Sequence, residues 1–353
     1  MRTLTLDLET YYAQDFTLSH LTNEEYVRDP RFQALCLGVK EFGTKVDQIV
    51  LAGPDEIYYW VGKQDWWDIA AIMHHAQFDG FILSEIYHVR PAFIFDTLSM
   101  AHAVNGPLEP ASLGALAARY GLAEKTVPYN YFKGKRWEQM SEQLQQELCD
   151  GCVHDCELTE AIFRELARGF PPDELEIIDQ TVRMYTEPRM YGDIALFDKL
   201  ATEEEGRKTE LLAALNVPKQ ALSSNATFTR LLEAFGEEVP SKPGKNGPNP
   251  CVAASDAYMI DNMDRDDAVG QLIRCRMDVK STIQETRAGR LADMARRGPL
   301  PVYIKYFAAM TSRWGGGEKT NIQNLPHDGP MRSGLCAENP NGAAMMAEKD
   351  TGE

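Results

Sequence analysis

The sequence lacks the features that direct a protein into a membrane or out of the cell. Among its 353 residues, no apolar run approaches the roughly 20 that cross a bilayer. Acids interrupt the start, MRTLTLDLET, where a signal peptide needs an apolar core. The seven cysteines are odd in number and have no regular framework, which indicates reduced thiols. We therefore expect a cytoplasmic protein with no membrane partner.

Positive charge is also scarce: 36 Lys and Arg stand against 53 Asp and Glu, and the formal net charge is −17. This balance argues against a protein that coats nucleic acid through bulk electrostatics. It does not exclude a nucleic-acid enzyme, because a metal site concentrates acids locally while basic residues cluster elsewhere. Residues 271–306 hold eight basic residues against three acidic ones, which fits either phosphate contacts or a solvated helix face. The basic residues are Arg274, Arg276, Lys280, Arg287, Arg290, Arg296, Arg297 and Lys305.

The length predicts two or three domains, and the first 165 residues or so read as α/β. Runs typical of strands lie at 3–9, 34–42, 48–52 and 93–98. Helical patterns lie in the second half of 69–87, at 111–122 with Ser112 as the cap, and at 141–170. Strands interleaved with helices predict a mixed sheet covered by helices.

The pattern changes after Phe170-Pro171-Pro172. Helical periodicity dominates 173–215, apart from a break near Pro188, and returns at 254–295. A strand-like run follows at 299–307, and a Gly-rich segment follows at 311–326.

The strand-like run that opens the chain ends in two carboxylates, Asp7 and Glu9. Residues i and i+2 share a face of a strand, so these side chains project side by side and their charges repel. A divalent metal held by oxygen ligands would offset the repulsion. Two solvated acids at a strand end are the alternative, because Asp-x-Glu alone is a weak signal.

Two further acids lie in contexts that suit the same site. Asp79, in MHHAQFDGFIL, stands in an apolar stretch whose other side chains can pack into a core while Asp79 faces a cleft. Asp155, in GCVHDCELTEAIF, lies on a long helix and can share a face with the end of the first strand. Four carboxylates suffice for two divalent ions, which stabilise the attacking and leaving oxygens of a phosphoryl transfer.

Three motifs around these acids, LDLET, HHAQFD and VHDCELT, resemble in order and approximate spacing the exonuclease motifs of the DnaQ-like (DEDD) 3′→5′ exonucleases. Together with TNEEYVRDPRFQALCLGVK and FDTLSMAHAV, they are similar to the proofreading domain of phage family A DNA polymerases. The resemblance implies a ribonuclease H-like fold. It also implies an enzyme that acts on single-stranded DNA 3′ ends during replication, in a bacterial host cytosol. It implies two Mg²⁺ or Mn²⁺ ions as cofactors. Their catalytic ligands would be Asp7, Glu9, Asp79 and Asp155.

The chain departs from these motifs at two places. The family commonly has Asn four residues before the Asp of the second motif, and this chain has His75 there. The third motif usually has Tyr four or His five residues before its Asp, to orient or deprotonate the attacking water; here those positions are Gly151 and Asp150. His154 is an alternative water-orienting candidate. It is adjacent to Asp155, although the side chains of adjacent residues on a helix point about 100° apart. An active nuclease, a slow one and a metal-binding relic all fit these departures.

The second half resembles the thumb and early palm of the same polymerases. This holds for 279–307, and for 311–326, which matches the pattern T-G-R…N-L-Q-N-(I/L)-P with Ser312 in place of Gly. The resemblance implies an exonuclease domain at 1–170, a mainly α-helical thumb-like region at 171–298 and an incomplete palm at 299–353. Contacts to primer-template DNA would come from Lys280, Ser281, Arg313, Gln323 and Asn324.

The last residues fit the first catalytic palm motif only loosely, with Glu348 or Asp350 at the Asp position. The fingers helix and the second palm motif of a polymerase do not follow, so we expect no polymerisation by this chain alone. The leading hypothesis is a metal-dependent proofreading 3′→5′ exonuclease. The alternative is a catalytically weakened DNA-binding or scaffold half of a split or truncated polymerase, joined by a separate polymerase chain. A ribonuclease of the same fold is a third hypothesis, which the thumb-like half disfavours.

Overall fold

A five-stranded sheet lies at the centre of the amino-terminal half of the protein, seen here in a computed structural model. Its strands are β1 (Arg2–Thr10), β2 (Ala34–Glu41), β3 (Gln48–Ala52), β4 (Ile69–Met73) and β5 (Phe93–Asp96). They are ordered β3-β2-β1-β4-β5, and β1 pairs antiparallel with β2 but parallel with β4. The predicted α/β class with a mixed sheet is therefore confirmed. The structure describes residues 1–44, 48–125, 129–244, 247–280, 283–327 and 329–341.

Helices pack against this sheet and bury its apolar side chains. They are α1 (Asn23–Val27), α2 (Pro54–Val61), α3 (Ala76–Glu85), α4 (Thr97–Asn105), α5 (Leu113–Arg119), α6 (Glu142–Leu166) and α7 (Pro172–Thr186). Helix α6 packs across β1 and β2, and α7 packs against α3 and β5. Leu4, Leu6 and Leu8 of β1 are buried in the resulting core. Helices α5 and α6 occupy the stretches 111–122 and 141–170 that the sequence predicts to be helical.

Side-chain caps fix where several of these helices begin. The Ser112 hydroxyl accepts a hydrogen bond from the first turn of α5, as predicted, and Ser141 caps α6 in the same way. Asp96 caps α4 and also accepts from the N–H groups of His75 and Ala76. A cap of this kind is worth about 1 kcal/mol. Asp96 therefore joins the start of α4 to the start of α3.

Helix α3 confirms the helix predicted in the second half of 69–87, and strand β4 occupies the first half, to which the sequence pattern assigns no element. Every residue from Ile69 to Met73 is buried, because β4 lies between β1 and β5. A short, continuous apolar run cannot be distinguished from a buried helix by periodicity alone. The end of β4 leads directly into α3, and this order places Asp79 beside β1.

A glycine lets helix α6 approach the sheet closely. Gly38 pairs with Asp7 in the β1–β2 ladder, and its N–H donates to Cys152 Sγ at 3.1 Å. A Cβ atom at this position would lie 2.8 Å from Cys156 Sγ and 3.0 Å from Cys152 O, too close for packed atoms. Gly38 thus sets the distance between β1 and α6, and with it the distance between Asp7 and Asp155.

The chain divides into two compact units, Met1–Tyr191 with Arg297–Leu325, and Gly192–Arg296 with Pro326–Glu353. The helices that follow α7 are α8 (Ile194–Leu215), α9 (Lys219–Ser223), α10 (Asn225–Ala234), α11 (Ala257–Asn262), α12 (Ala268–Lys280), α13 (Ile283–Arg297) and α14 (Pro330–Ser333). The mainly helical character predicted for 171–298 is observed. The predicted domain boundaries at 170 and 298, and the thumb-like assignment, stay predictions. No described helix is both long enough and apolar enough to cross a membrane.

The other strands of the described residues are short. They are β6 (Tyr191–Gly192), β7 (Ser241–Gly244), β8 (Gly247–Pro250), β9 (Ile304–Lys305), β10 (Gly315–Gly316) and β11 (Leu335–Cys336). The strand predicted at 299–307 is therefore wrong except at Ile304 and Lys305. Pro299 and Pro301 have no N–H group to give to a strand ladder, so the pairing before Ile304 is limited to an isolated bridge between Leu300 and Met190.

A buried arginine organises the core of the second unit. Arg276 is 1% exposed, and its Nε donates to Val252 O at 3.1 Å. Its other nitrogens donate to Leu222 O and Asn225 Oδ1, and its guanidinium stacks 4.3 Å from the centre of the Phe228 ring. Arg276 is the hydrogen-bonding centre of this core and does not face solvent.

We expect Gly38→Ala to destabilise the protein by about 1–3 kcal/mol, because the added methyl group must push α6 away from the sheet. Thermal unfolding followed by circular dichroism measures the change. Gly114→Ala is the matched control, since no atom lies within 4 Å of its Cβ position and alanine is better than glycine in a helix by about 0.5–1 kcal/mol. Equal melting temperatures for the two variants would show that Gly38 does not set this spacing.

Candidate metal centre

Three carboxylates from β1 and α6 come together on one side of the sheet. Asp7, Glu9 and Asp155 each bring a ligand atom to within 4.8 Å of the others. The alternation of a strand explains the pair on β1, because Leu6 and Leu8 enter the core while Asp7 and Glu9 share the other face. Asp155 reaches the pair because α6 packs directly across β1.

The fourth predicted acid, Asp79 of α3, adjoins this trio. It is 4% exposed, and its carboxylate accepts a hydrogen bond from Leu8 N–H. Burial, and then the charges of Asp7 and Glu9, raise the pKa of Asp79 well above its ordinary value. The structure thus places all four predicted ligands in one electrostatic environment, although their role in catalysis stays a prediction.

The surroundings of Asp7 favour its neutral form. Burial first, and the charge of Asp155 second, raise the pKa of Asp7 to about 7, while the Lys125 ammonium acts in the opposite direction. The Cys152 thiol lies 3.2 Å from Asp7 O and 3.5 Å from Asp7 Oδ2. Carboxylates perturbed by burial together with a like charge are typical of functional sites.

The donor set fits a hard divalent cation. Carboxylate oxygens are the ligands that Mg²⁺ and Mn²⁺ prefer. Burial and the charge of Asp155 both raise the pKa of Asp7, and a bound cation would favour its ionised carboxylate. Asp7, Glu9 and Asp155 would hold such an ion, with Asp79 beside them.

A lysine that the sequence motifs do not include contacts this site. Lys125 Nζ lies 2.6 Å from Asp155 Oδ2. Burial acts to lower the pKa of Lys125, but the charges of Asp155, Glu9 and Asp7 outweigh it, and the pKa is raised. Lys125 lies in a loop after α5, and no motif or periodicity marks it in the sequence.

His154, the alternative water-orienting candidate, contacts the same loop. Its Nε2–H donates to Glu124 O at 2.9 Å, and its Nδ1 lies 3.7 Å from Glu157 Oε2. Gly151, one turn before Asp155, is buried within α6. The contact to Glu124 engages the His154 ring with the loop backbone, and a role in orienting water stays a prediction.

His75, which stands where the family commonly has Asn, has a structural role in this chain. It precedes α3 with a left-handed backbone at φ 65°, and its N–H donates to Asp96 Oδ1 at 2.9 Å. Its Nε2 lies 3.3 Å from the Tyr303 hydroxyl. His75 therefore helps to fix the start of the helix that carries Asp79.

The predicted DNA-contacting residues lie at the surface. Arg313, Gln323 and Asn324 are exposed in the first unit, and Lys280 is exposed in the second. Ser281 lies outside the described residues. Exposure is compatible with contacts to phosphate, which stay a prediction.

Several side chains of the basic cluster at 271–306 bond to other groups of the protein. Arg276 is buried, so the prediction of a phosphate-facing patch is wrong for that residue. In the second unit Arg296 pairs with Asp198 at 2.5 Å, and in the first unit Arg297 pairs with the buried Glu24 at 2.7 Å. Ionic partners of this kind reduce the positive charge available to a ligand.

Comparisons with known proteins show similarity in structure. No protein-family model and no curated protein sequence matches this chain. The polymerase domain of Pol1 from M. smegmatis, solved in complex with DNA primer-template and dNTP, matches with a TM-score of 0.55 and 16% identity, over 94% of this chain and 54% of that one. NrnC from Brucella melitensis matches with a TM-score of 0.36 and 14% identity, over 51% of this chain and 81% of that one.

The Pol1 match establishes a DNA polymerase-like fold for this chain. At 16% identity it shows the fold alone. The chain spans about half the length of that polymerase chain.

We expect the stability of the metal-free protein to fall between pH 4 and pH 7. An unfolded aspartate releases its proton near pH 4, whereas folded Asp7 keeps it up to about pH 7, so the folded state binds more protons in this window. Asp7→Asn cannot ionise and should be more stable than the wild type at pH 8, by up to about 4 kcal/mol. Thermal unfolding in EDTA at pH 5 and pH 8 measures this.

The control for this prediction is Asp15→Asn, because the Asp15 side chain is 82% exposed. Asp15→Asn should have the same melting temperature as the wild type at both pH values. Added Mn²⁺ should raise the melting temperature of the wild type and of Asp15→Asn but not that of Asp7→Asn. Asp7→Asn should reduce this pH dependence without abolishing it, because the raised pKa of Asp79 acts in the same direction. An unchanged pH dependence in Asp7→Asn would mean that Asp7 does not cause it.

Proposed function

We propose that this chain is a metal-dependent 3′→5′ exonuclease of the proofreading type, from a phage-like family A DNA polymerase. It removes nucleotides from DNA 3′ ends in the cytosol by hydrolysis. The catalytic ligands are Asp7, Glu9, Asp79 and Asp155, in a DnaQ-like, ribonuclease H-like domain. The observation that carries the proposal is the convergence of Asp7, Glu9 and Asp155 within 4.8 Å, from two separate motifs of that family.

Two further observations support this proposal. Asp79 belongs to the remaining motif, and the charges of Asp7 and Glu9 contribute to its raised pKa. The acids of all three motifs therefore lie close enough to influence one another. The fold is similar to that of a polymerase solved with DNA primer-template, which favours DNA over RNA as the substrate. Exposed Lys280, Arg313 and Gln323 would contact the duplex.

The residues of the chain have separate tasks in this proposal. Mg²⁺ or Mn²⁺ ions would supply Lewis acidity for the attacking water and charge stabilisation for the leaving 3′ oxygen. Asp7 must release its proton before it can bind an ion, and because its pKa is raised to about 7, most of the metal-free protein has an ionised Asp7 only above neutral pH. The Leu8 N–H holds Asp79, and the α6 backbone holds Asp155, so the ligands are positioned before any ion arrives.

A second candidate function is that of a DNA-binding or scaffold half that joins a separate polymerase chain. Gly151 favours it, because no aromatic hydroxyl is available one turn before Asp155. A general base typically contributes about 10²–10⁴-fold to a rate. Loss of that group would slow hydrolysis while the carboxylate site stayed intact.

We expect the protein with Mg²⁺ or Mn²⁺ to shorten a 5′-labelled single-stranded DNA from its 3′ end, one nucleotide at a time. Asp7→Ala/Glu9→Ala should reduce the rate about a thousandfold or more, since the ion is worth several kcal/mol to the transition state. A time course on a denaturing gel measures both. Asp173→Ala/Glu176→Ala removes the same charge from exposed positions of α7 and should leave the ladder unchanged.

The same experiment separates the two candidate functions. If protein that still binds primed DNA gives no ladder with either metal, the exonuclease proposal is wrong and the scaffold function is favoured. A ladder that persists in Asp7→Ala/Glu9→Ala would place the activity at a different site.

A further inference from the structure

Two contacts to helix α6 hold Lys125 in place. His154 Nε2–H donates to Glu124 O at 2.9 Å, and in the next residue pair Asp155 Oδ2 lies 2.6 Å from Lys125 Nζ. Adjacent residues of α6 therefore hold adjacent residues of the loop. A lysine side chain loses much conformational freedom when it is fixed, and a backbone anchor beside it lowers that cost. Lys125 is a positioned cation, in contrast to a mobile surface lysine.

Lys125 is the more exposed partner of its ion pair with Asp155. The side chain of Lys125 is 35% exposed, whereas that of Asp155 is only 3% exposed. Asp7 and Glu9 are partly exposed. Lys125 therefore presents a solvent-accessible ammonium directly beside the carboxylate trio.

The charge balance at the site indicates a need for a cation such as Lys125. Four ionised carboxylates carry four negative charges, and two divalent ions would bring the sum only to zero. Such ions can coordinate a phosphate oxygen, but the site then has no net positive charge to attract a phosphodiester from solution, and the whole chain carries −17. Charges beyond a Debye length of about 8–10 Å are screened, so attraction must come from a cation close to the ions. Lys125 supplies one, and with a single divalent ion the need for it would be greater.

We propose that Lys125 binds the phosphate of the nucleotide that is removed, and that His154 is the positioning residue that holds its loop. This inference rests on the proposed function, because it takes the carboxylates as a divalent-metal site. An ammonium suits the task, being a compact charge whose N–H groups donate to phosphate oxygens. Lys125 makes and breaks no covalent bond in this role. The role assigned to His154 differs from that of orienting water.

Equilibrium binding of thymidine 5′-monophosphate in the presence of Mn²⁺ tests the proposal without turnover. Lys125→Met and Lys125→Gln should weaken mononucleotide binding about tenfold or more, because a charged hydrogen bond is lost. Lys125→Arg keeps the charge and should stay within about threefold of the wild type. Mn²⁺ binding measured without nucleotide should persist in all three variants. Lys135→Met removes an exposed lysine nearby in sequence and should behave as the wild type.

His154→Ala tests the positioning role separately, because it leaves Lys125 itself unchanged. It should weaken mononucleotide binding about threefold, with the Mn²⁺ affinity unaltered, as expected for a loss of one hydrogen bond. A purely structural role for His154 would lower the melting temperature and leave the nucleotide affinity as it was.

The outcomes distinguish this inference from the proposed function. Unchanged mononucleotide affinity in Lys125→Met and Lys125→Gln, with Mn²⁺ binding intact, overturns the inference and leaves the exonuclease standing. Tighter Mn²⁺ binding with unchanged nucleotide affinity also overturns it, since Lys125 would then only stand in for an ion. A wild-type protein that binds no Mn²⁺ and leaves DNA intact overturns both.

Discussion

Repulsion among closely spaced carboxylates is the constraint on which the rest of this structure depends. Two unit charges 4 Å apart cost about 4 kcal/mol at an effective dielectric constant near 20. The ligand atoms of Asp7, Glu9 and Asp155 all lie within 4.8 Å of one another. The backbone of β1 and α6 nevertheless holds them together. Because a folded domain is stable by only about 5–15 kcal/mol, a cost of this size is typical of a site at which stability is exchanged for function.

Helix α6 lies close to the sheet at Gly38, and this approach brings Asp155 to Asp7 and Glu9. The absence of a side chain at Gly38 allows the approach, and the small Cys152 fills the space beside Asp7. Burial raises the pKa of Cys152 to about 12, so the thiol stays neutral and adds no charge to the carboxylates. A larger residue at either position would move Asp155 away from β1, and an acidic one would add to the repulsion. The packing of small groups thus controls the electrostatics of the site.

The sequence predicts the parts of this arrangement that depend on local periodicity or on a motif. Alternation along β1 places Asp7 and Glu9 on one face, and Ser112 caps α5, both as the pattern indicates. Strand β4 cannot be recognised in this way, because a buried apolar run has no period to detect. Lys125 cannot be recognised either, because its position depends on a contact between a loop and α6 that no local pattern encodes.

The distribution of basic residues shows why charge counted along a sequence is a weak guide to a binding surface. The sequence of the cluster at 271–306 suggests a basic surface patch. In the structure, however, the guanidinium of Arg276 donates hydrogen bonds to carbonyl groups of the core, and Arg297 forms an ion pair with Glu24. A guanidinium with five donors is well suited to such internal bonding, so an arginine-rich stretch often stabilises its own domain. In a chain with a net charge of −17, attraction to a phosphate then depends on a few cations held close to where the phosphate binds. At the proposed metal site, Lys125 would therefore contribute more to phosphate binding than a longer run of arginines whose charges are paired within the protein.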